Sequence, residues 1–584
     1  MGRVVAIGEQ SFEEIVKHNY FYVDKTQFIR DWWKNGDSVT VLTRPRRFGK
    51  TLLLNTVDHF FSVKYQDEDD LFKNLTIAND SEILKEQNKW PVIFLSFADV
   101  KMQTYDLMYK YICDLIDTLY NRNYFLIEEK FLNPRETEKF NKVNSDMDIS
   151  TAQSAIKNLS EWLSNYYGKK VIILLDEYDT PLYEIFASET NKNRESDFAS
   201  ALEFMRGFFN SSFKTNPAMG RVLMTGLTYI AKQSLFSDFN NPKIITTTSN
   251  KYTDSCGFTQ EEMEAVFDEY DISYDERQGV KDYYDGYIFG NRTGIYNPWS
   301  VCNFLDDRIL KAYWVNSSSD NLITNYIRVG SASVQNQIQN LINGKEIITT
   351  LDERVTFANV NMSEPAFYSI CVSSGYLKIC DVIGKKYKLN FPNKEIRNEI
   401  IDNIQSWFTS TTLDFTSYEN FINALLSGDL SILRKTLTKF ANNVFSFMDT
   451  AKSEPEKFYH GFTLGVMVGL PADYMVESNG ESGNGRYDIM IKPRPNQPPE
   501  KFSSMNGIII ELKSVPAKSS IKLQDAVNVA LKQIDAKNYA QKLLDYGIQE
   551  SNIIKYGIAF KGKKVNIGMD ISDTSCPRQP SDKY

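Results

Sequence analysis

The chain has 584 residues, 42% of them hydrophobic and 24% charged, with a formal net charge of -9. A chain of this length needs about two to four folded cores, and the balance is that of an ordinary globular protein. The mild acidity excludes a generally basic coat for nucleic acid, although a local basic groove stays open. Six cysteines form no Cys-x-x-Cys pair and there are only three His, which argues against a structural zinc site and fits a reducing cytosol. Met1 to Glu9 lacks the apolar core of a signal peptide, and no run approaches the ~18 apolar residues that span a bilayer. We therefore expect a cytoplasmic protein with no membrane partner.

The first third alternates short apolar strands with segments of helical period. Val39–Thr43, Val92–Phe97, Val171–Leu175, Val222–Thr225 and Ile244–Thr247 are compact and rich in β-branched residues. Such spacing implies βαβ units and an α/β fold with a parallel sheet covered on both faces. The order of the strands does not follow from the pattern.

The first strand runs into Arg44-Pro45-Arg46-Arg47-Phe48-Gly49-Lys50-Thr51, and then into a helix-like run. That is the layout of a P-loop. Backbone N–H groups and a helix N-terminus cradle phosphates, Lys50 reaches the β- and γ-phosphates, and the Thr51 hydroxyl binds Mg²⁺. The first Gly of the pattern falls on Arg44. Arg44, Arg46, Arg47 and Lys50 repel one another unless an anion is present, which favours a phosphate over a solvated basic turn. Downstream, the Val171–Leu175 strand ends on Asp176-Glu177, where Asp176 would help to hold Mg²⁺ and Glu177 would activate the attacking water. Two solvated acids capping a buried strand are the plainer alternative. Thr225 ends the next strand, either as a γ-phosphate contact or as a simple cap.

Near residue 250 the pattern changes. Thr259-Gln260-Glu261-Glu262 is a capping box ahead of Met263, Val266, Phe267 and Tyr270 at helical spacing. Aromatic turns follow at Tyr284-Asp285-Gly286-Tyr287 and Tyr296-Asn297-Pro298-Trp299-Ser300. The rest of a mostly helical middle domain contains short strand-like passages at Gly375–Val382 and Tyr387–Phe391.

The last part begins with a helical run from Pro455 to Leu470 and a Gly-rich loop over Glu477–Gly485. Strands at Arg486–Lys492 and Gly507–Lys513, a helix carrying Leu523, Val527, Leu531 and Ile534, and a strand at Tyr556–Phe560 follow. This order marks a small α/β domain. The expected boundaries are 1–250, 251–445 and 446–567, with 568–584 as a disordered tail.

In that domain Asp488 lies on one strand, and Glu511-Leu512-Lys513 follows on the next. Residues two apart on a strand share a face, so Glu511 and Lys513 project together and Asp488 can join them. Asp488 and Glu511 would bind Mg²⁺, which polarises a scissile phosphate, and Lys513 would position the water. A hairpin with a charged solvent face is the alternative, but Glu511 follows Ile508-Ile509-Ile510, where a carboxylate is costly without a partner. Gln533, Glu481 and the Tyr459-His460 pair are further candidates near this site.

Phe21-Tyr22-Val23-Asp24-Lys25-Thr26, the Arg44–Thr51 loop and Asp176-Glu177-Tyr178-Asp179-Thr180-Pro181-Leu182 together resemble the bacterial AAA-ATPase-like family. Ser234-Leu235-Phe236-Ser237-Asp238-Phe239-Asn240-Asn241 and the two aromatic turns resemble it as well. Members of that family typically carry a C-terminal domain of the PD-(D/E)XK nuclease superfamily, and Arg stands at their first P-loop Gly position. The family often has a basic residue where this chain has Tyr229, which puts a sensor arginine there in doubt. The resemblance implies an ATP-binding and ATP-hydrolysing protein coupled to a Mg²⁺-dependent nuclease acting on nucleic acid, DNA before RNA. The alternative is a nucleotide-dependent switch whose nuclease-like domain binds nucleic acid or a partner without cutting.

Overall fold

The computed structural model describes residues 2–571 apart from 67–69, 189–190, 215, 228–241, 315–322, 324–325, 328–330, 353–362, 410–414, 448–464, 467, 472, 479, 484, 517–518 and 562–563. The 234–241 motif, Tyr229 and the Tyr459-His460 pair lie outside the described residues. Two compact units result: Met1–Ile323 with Ile348–Arg397, and Thr324–Ile347 with Asn398–Tyr584. The mainly helical middle is thus shared between them, and the expected boundaries at 250 and 445 do not divide the units. The reason is amphipathy: the middle helices bury their apolar faces within one unit or the other. In the first unit Met263, Phe267, Tyr284, Val301 and Phe304 join one core with Phe21 from the N-terminal segment.

The first unit is built on a five-stranded sheet with all pairs parallel. Its order is Val92–Ser96, Val171–Asp176, Met219–Gly226, Val39–Thr43, Lys243–Ile245. Val39–Thr43 and Val171–Asp176 are buried at every position, whereas the edge strand Val92–Ser96 alternates buried and half-buried residues. Central strands of a helix-covered sheet face apolar groups on both sides, so their sequences read as unbroken apolar runs. The helices Lys50–Phe61 and Ile149–Tyr167 pack against this sheet.

The capping box forms as expected, with Thr259 capping the helix Gln260–Glu269. The Tyr284–Tyr287 stretch, expected as a turn, leads instead into an antiparallel hairpin of Tyr287–Phe289 and Arg292–Ile295. Gly286 has φ +97°, and a Cβ there would come 2.0 Å from the Pro392 carbonyl oxygen, so only glycine fits.

The second unit holds another five-stranded sheet, ordered Tyr474–Ser478, Ile489–Pro493, Gly507–Ser514, Ile553–Lys561, Lys564–Ile571. Gly507–Ser514 and Ile553–Lys561 are parallel and the other pairs antiparallel. Two strands escaped the sequence reading. Tyr474–Ser478 merges into the Gly-rich loop, and Lys564–Ile571, which carries Gly568 and Asp570, pairs past the expected end at 567. The helix Leu523–Ala536 lies so close to Ile553–Lys561 that a Cβ on Gly557 would meet the Val527 carbonyl oxygen at 2.7 Å. Gly557→Val is therefore expected to lower stability by about 1–3 kcal/mol, read as a reduced urea midpoint with an unchanged slope.

Candidate functional site

Parallel strands end on one edge of the first sheet, the place where open α/β sheets bind ligands. There Val39–Thr43 passes through Arg44–Phe48 into the helix Lys50–Phe61, with Gly49 at φ +86° as its N-cap and no side-chain cap on the free N–H groups. An uncapped helix N-terminus reached through a glycine turn is an anion cradle. Lys50 Nζ donates to the Arg44 and Pro45 carbonyl oxygens at 3.1 and 2.9 Å, folded over the mouth of that cradle.

Asp176 sits on the neighbouring strand end but one. Its Oδ2 accepts from Thr51 Oγ1 at 2.8 Å and its Oδ1 from Thr225 Oγ1 at 2.6 Å. Burial pushes its carboxyl up, against the two hydroxyl bonds and the Lys50 charge. Thr51 and Asp176 thus converge as hard oxygen donors beside Lys50, a set that fits Mg²⁺. Glu177 follows in the left-handed region at φ +49°, and its Oε2 accepts from Thr180 Oγ1 at 2.9 Å.

Lys50, Thr51 and Glu177 line a cavity of about 500 Å³. Its apolar wall includes Val5, Ile7 and Val23 from the N-terminal segment, with Phe258, Trp299 and Cys302 from the middle of the chain. Composition and spacing did not point to this wall. Its sequence signals were the Tyr296–Ser300 stretch, which supplies Trp299, and the Phe21–Thr26 motif, whose Lys25 Nζ pairs with Glu262 at 2.7 Å.

The three arginines have different positions. Arg44 is fully buried; it donates from Nη1 to the Thr43 and Thr246 carbonyl oxygens and from Nη2 to that of Tyr252, each at 2.9 Å, and lies over the Phe289 ring. Burial lowers its guanidinium to about 10. The expected phosphate contact by Arg44 is therefore replaced by a clamp on the loop that follows Lys243–Ile245. Arg46 lies over the Tyr183 ring, and Arg47 over Trp299 on the cavity wall. The Phe48 ring is buried against Tyr287 and Phe289, which leaves its backbone to the cradle.

In the second unit Ile489 pairs with Ile510, so Asp488 falls opposite Glu511. Asp488 Oδ2 accepts from the Leu512 N–H at 2.7 Å. Lys513 Nζ donates to Glu511 Oε1 at 2.8 Å and to Gln533 Oε1 at 2.7 Å, and Gln533 Nε2 donates to Glu511 Oε1. Tyr539, which the sequence reading missed, orients Gln533 by accepting from Nε2 at 3.2 Å while its hydroxyl donates to the Arg486 carbonyl oxygen. Glu481 is exposed on a two-residue strand paired with Gly485–Arg486 and takes no part in the Glu511–Lys513–Gln533 hydrogen bonds.

Glu511 Oε2 is buried and has no hydrogen-bond partner. Burial, and then Asp488, push the Glu511 carboxyl up to about 7. A buried orphan carboxylate oxygen next to a second carboxylate is the environment a divalent cation satisfies.

Residues 6–236 match a family described as predicted AAA-ATPase, and residues 454–570 match the PD-(D/E)XK nuclease superfamily. The chain thus joins an AAA-ATPase-like domain to a C-terminal PD-(D/E)XK nuclease superfamily domain. It is 24% identical over 505 residues to an uncharacterized protein in the vnfD 5' region of Azotobacter chroococcum mcd 1, covering 83% of this chain and 86% of that protein. No helix among the described residues is long and apolar enough to cross a membrane.

Two outcomes follow from the geometry. Arg44→Ala removes a buried guanidinium from three carbonyl oxygens, of which that of Thr246 keeps the Ser249 N–H and that of Tyr252 keeps Ser255, so it is expected to cost about 1–3 kcal/mol and to appear first as a lowered melting temperature. Glu511 has a raised folded pKa, so its contribution to stability is full below the ordinary carboxyl value and lost as pH rises through about 7. A divalent cation reverses that loss, because it binds the ionised form. Thermal stabilisation by Mn²⁺ or Mg²⁺ should therefore be larger at pH 8 than at pH 6 and reduced in Glu511→Gln; at 100 times its dissociation constant a ligand adds about 2.7 kcal/mol.

Proposed function

We propose that the N-terminal domain binds and hydrolyses ATP and that the C-terminal domain cleaves nucleic-acid phosphodiesters, with DNA as the substrate, in the cytoplasm. In the first domain the helix N-terminus and Lys50 hold the β- and γ-phosphates, with Arg46 and Arg47 supplying positive charge nearby. Thr51 and Asp176 would hold Mg²⁺, and Glu177 takes the proton of the attacking water. In the second domain Asp488 and Glu511 would hold Mg²⁺, and Lys513, oriented by Gln533, positions the water and offsets charge in the transition state. Bound at either site, Mg²⁺ supplies Lewis-acid polarisation of a phosphoryl oxygen.

One observation carries the catalytic reading of the second domain: the buried, unpartnered Glu511 Oε2 beside Asp488, with Lys513 on the same face. Such an oxygen costs about 1–3 kcal/mol when left unsatisfied, and a cation shared with Asp488 would remove that cost. The competing reading, binding without cutting, draws on a different fact. Among the described residues no group of three or more His, Cys, Asp or Glu is placed to hold a metal.

Nicking of supercoiled plasmid with Mg²⁺, with and without ATP, separates the two. Lys513→Ala should lose about 10²-fold or more in cleavage while keeping ATP turnover. Lys50→Ala should lose ATP turnover and any effect of ATP on cutting. Equal activity in the wild type and both variants would sink the proposal, and ATP turnover without cleavage in the wild type would establish the non-cutting switch.

A further inference from the structure

The Tyr296–Ser300 stretch has a structure that the catalytic reading does not use. Asn297 Oδ1 caps the helix Pro298–Asp307 through the Trp299 and Ser300 N–H groups. Trp299 then forms part of the cavity wall, with the Arg47 guanidinium 4.2 Å from its ring centroid, and its Nε1 donates to the Tyr313 carbonyl oxygen at 3.0 Å. Trp314 Nε1 donates to the Arg46 carbonyl oxygen at 3.2 Å. Two tryptophans thus grip the two consecutive arginines of the P-loop.

Behind them lies Glu395, which is fully buried. Its Oε1 accepts from the Tyr313 and Trp314 N–H groups at 2.7 and 2.9 Å, and Ser300 Oγ lies 3.0 and 2.9 Å from its two oxygens. One carboxylate therefore fixes the start of the Pro298–Asp307 helix and the Tyr313-Trp314 pair together. The charged and titratable groups around it are Arg47 from the P-loop, Tyr284 from the helix Tyr274–Tyr284, Tyr287 from the hairpin and Tyr313. Arg47 is the cation in that set, and it is also the arginine that lines the cavity.

We propose that Arg47 is shared between the phosphates of a bound nucleotide and the buried Glu395 carboxylate, so that nucleotide binding and proton uptake at Glu395 are linked. The inference rests on the nucleotide reading of the cavity and adds its regulation. Polyphosphate anions draw the Arg47 guanidinium off the Trp299 face. Glu395 then loses favourable positive charge while remaining out of water, and its affinity for a proton rises. Burial already pushes Glu395 up to about 7, against its hydrogen bonds and the Arg47 charge, so the change falls in the physiological range. Linkage is reciprocal: through this group nucleotide binds more tightly as pH falls from 8 toward 7. Proton arrival at the carboxylate adds a donor beside two N–H groups that already donate to it, which loosens the hold on Tyr313-Trp314. Occupancy of the cavity is thereby conveyed to the segment that grips Arg46.

The test is calorimetric titration of the full chain with ATP in EDTA at pH 7, in two buffers of different ionisation enthalpy. A one-unit rise from about 7 gives an uptake of about 0.4 proton per nucleotide in the wild type relative to Glu395→Gln. The Gln variant keeps the geometry, because its oxygen accepts from both N–H groups and its amide donates to the Ser300 hydroxyl. Ionisation of the nucleotide's own terminal phosphate has the opposite sign and is common to both proteins. Should the Gln variant fold poorly, the wild-type uptake alone must peak between pH 7 and 8 and vanish at pH 9, where Glu395 is ionised in both states. Equal proton exchange in the two proteins, or a wild-type uptake independent of pH, would overturn the linkage while leaving the ATP site standing. Failure of the wild type to bind ATP either in EDTA or with Mg²⁺ would overturn the nucleotide reading, and this inference with it.

Discussion

A carboxylate taken out of water must be met by hydrogen-bond donors, by a cation or by a proton. Three buried acids meet that constraint in three ways. Asp176 is held by two threonine hydroxyls beside Lys50, Glu395 by two N–H groups and a serine, and Glu511 by Lys513 and Gln533 with one oxygen left over. Burial raises all three carboxyls. The one with an unmatched oxygen is the one that stands opposite a second acid. At Glu511 the donors fall short, whereas the oxygens of Asp176 and Glu395 are met by hydroxyl and N–H groups.

The P-loop is governed by the same economy of charge. Four cations in a short loop cannot all face one cavity without repulsion. Arg44 resolves this by turning into the fold, where three carbonyl oxygens and an aromatic face replace water. A glycine at that position leaves the loop free to wrap a phosphate; an arginine pins the loop from behind. Arg46 and Arg47 lie on aromatic rings, whose faces attract a guanidinium. The loop is therefore charged toward the cavity chiefly through Arg47 and Lys50, on a rigid base.

The strands of the first sheet were legible because parallel central strands bury both faces and leave unbroken β-branched runs. Gly49, Lys50 and Thr51 were legible because they open the helix that follows such a strand, and Asp176 and Glu177 because they stand where another one ends. Asp488, Glu511 and Lys513 followed from the two-residue period of a strand. The strand Tyr474–Ser478 was not legible, because its ladder is set by a partner strand and its residues mix with a Gly-rich stretch. Glu395 offered no sequence signal. Its partners are Ser300, Tyr313 and Trp314, far away in the chain, and its burial is a product of packing.

The sequence by itself determined that a glycine turn joins a buried strand to a helix, that two acids stand at the end of a second buried strand, and that a carboxylate and a lysine share one strand face. Those are local consequences of backbone period and of residue type. Only the tertiary structure decided which cations face the cavity, which carboxylate oxygen is left without a donor, and that Trp299 and Glu395 stand behind Arg47. Long-range packing decides whether a polar group meets water, a donor or nothing, and spacing along the chain carries no record of that choice.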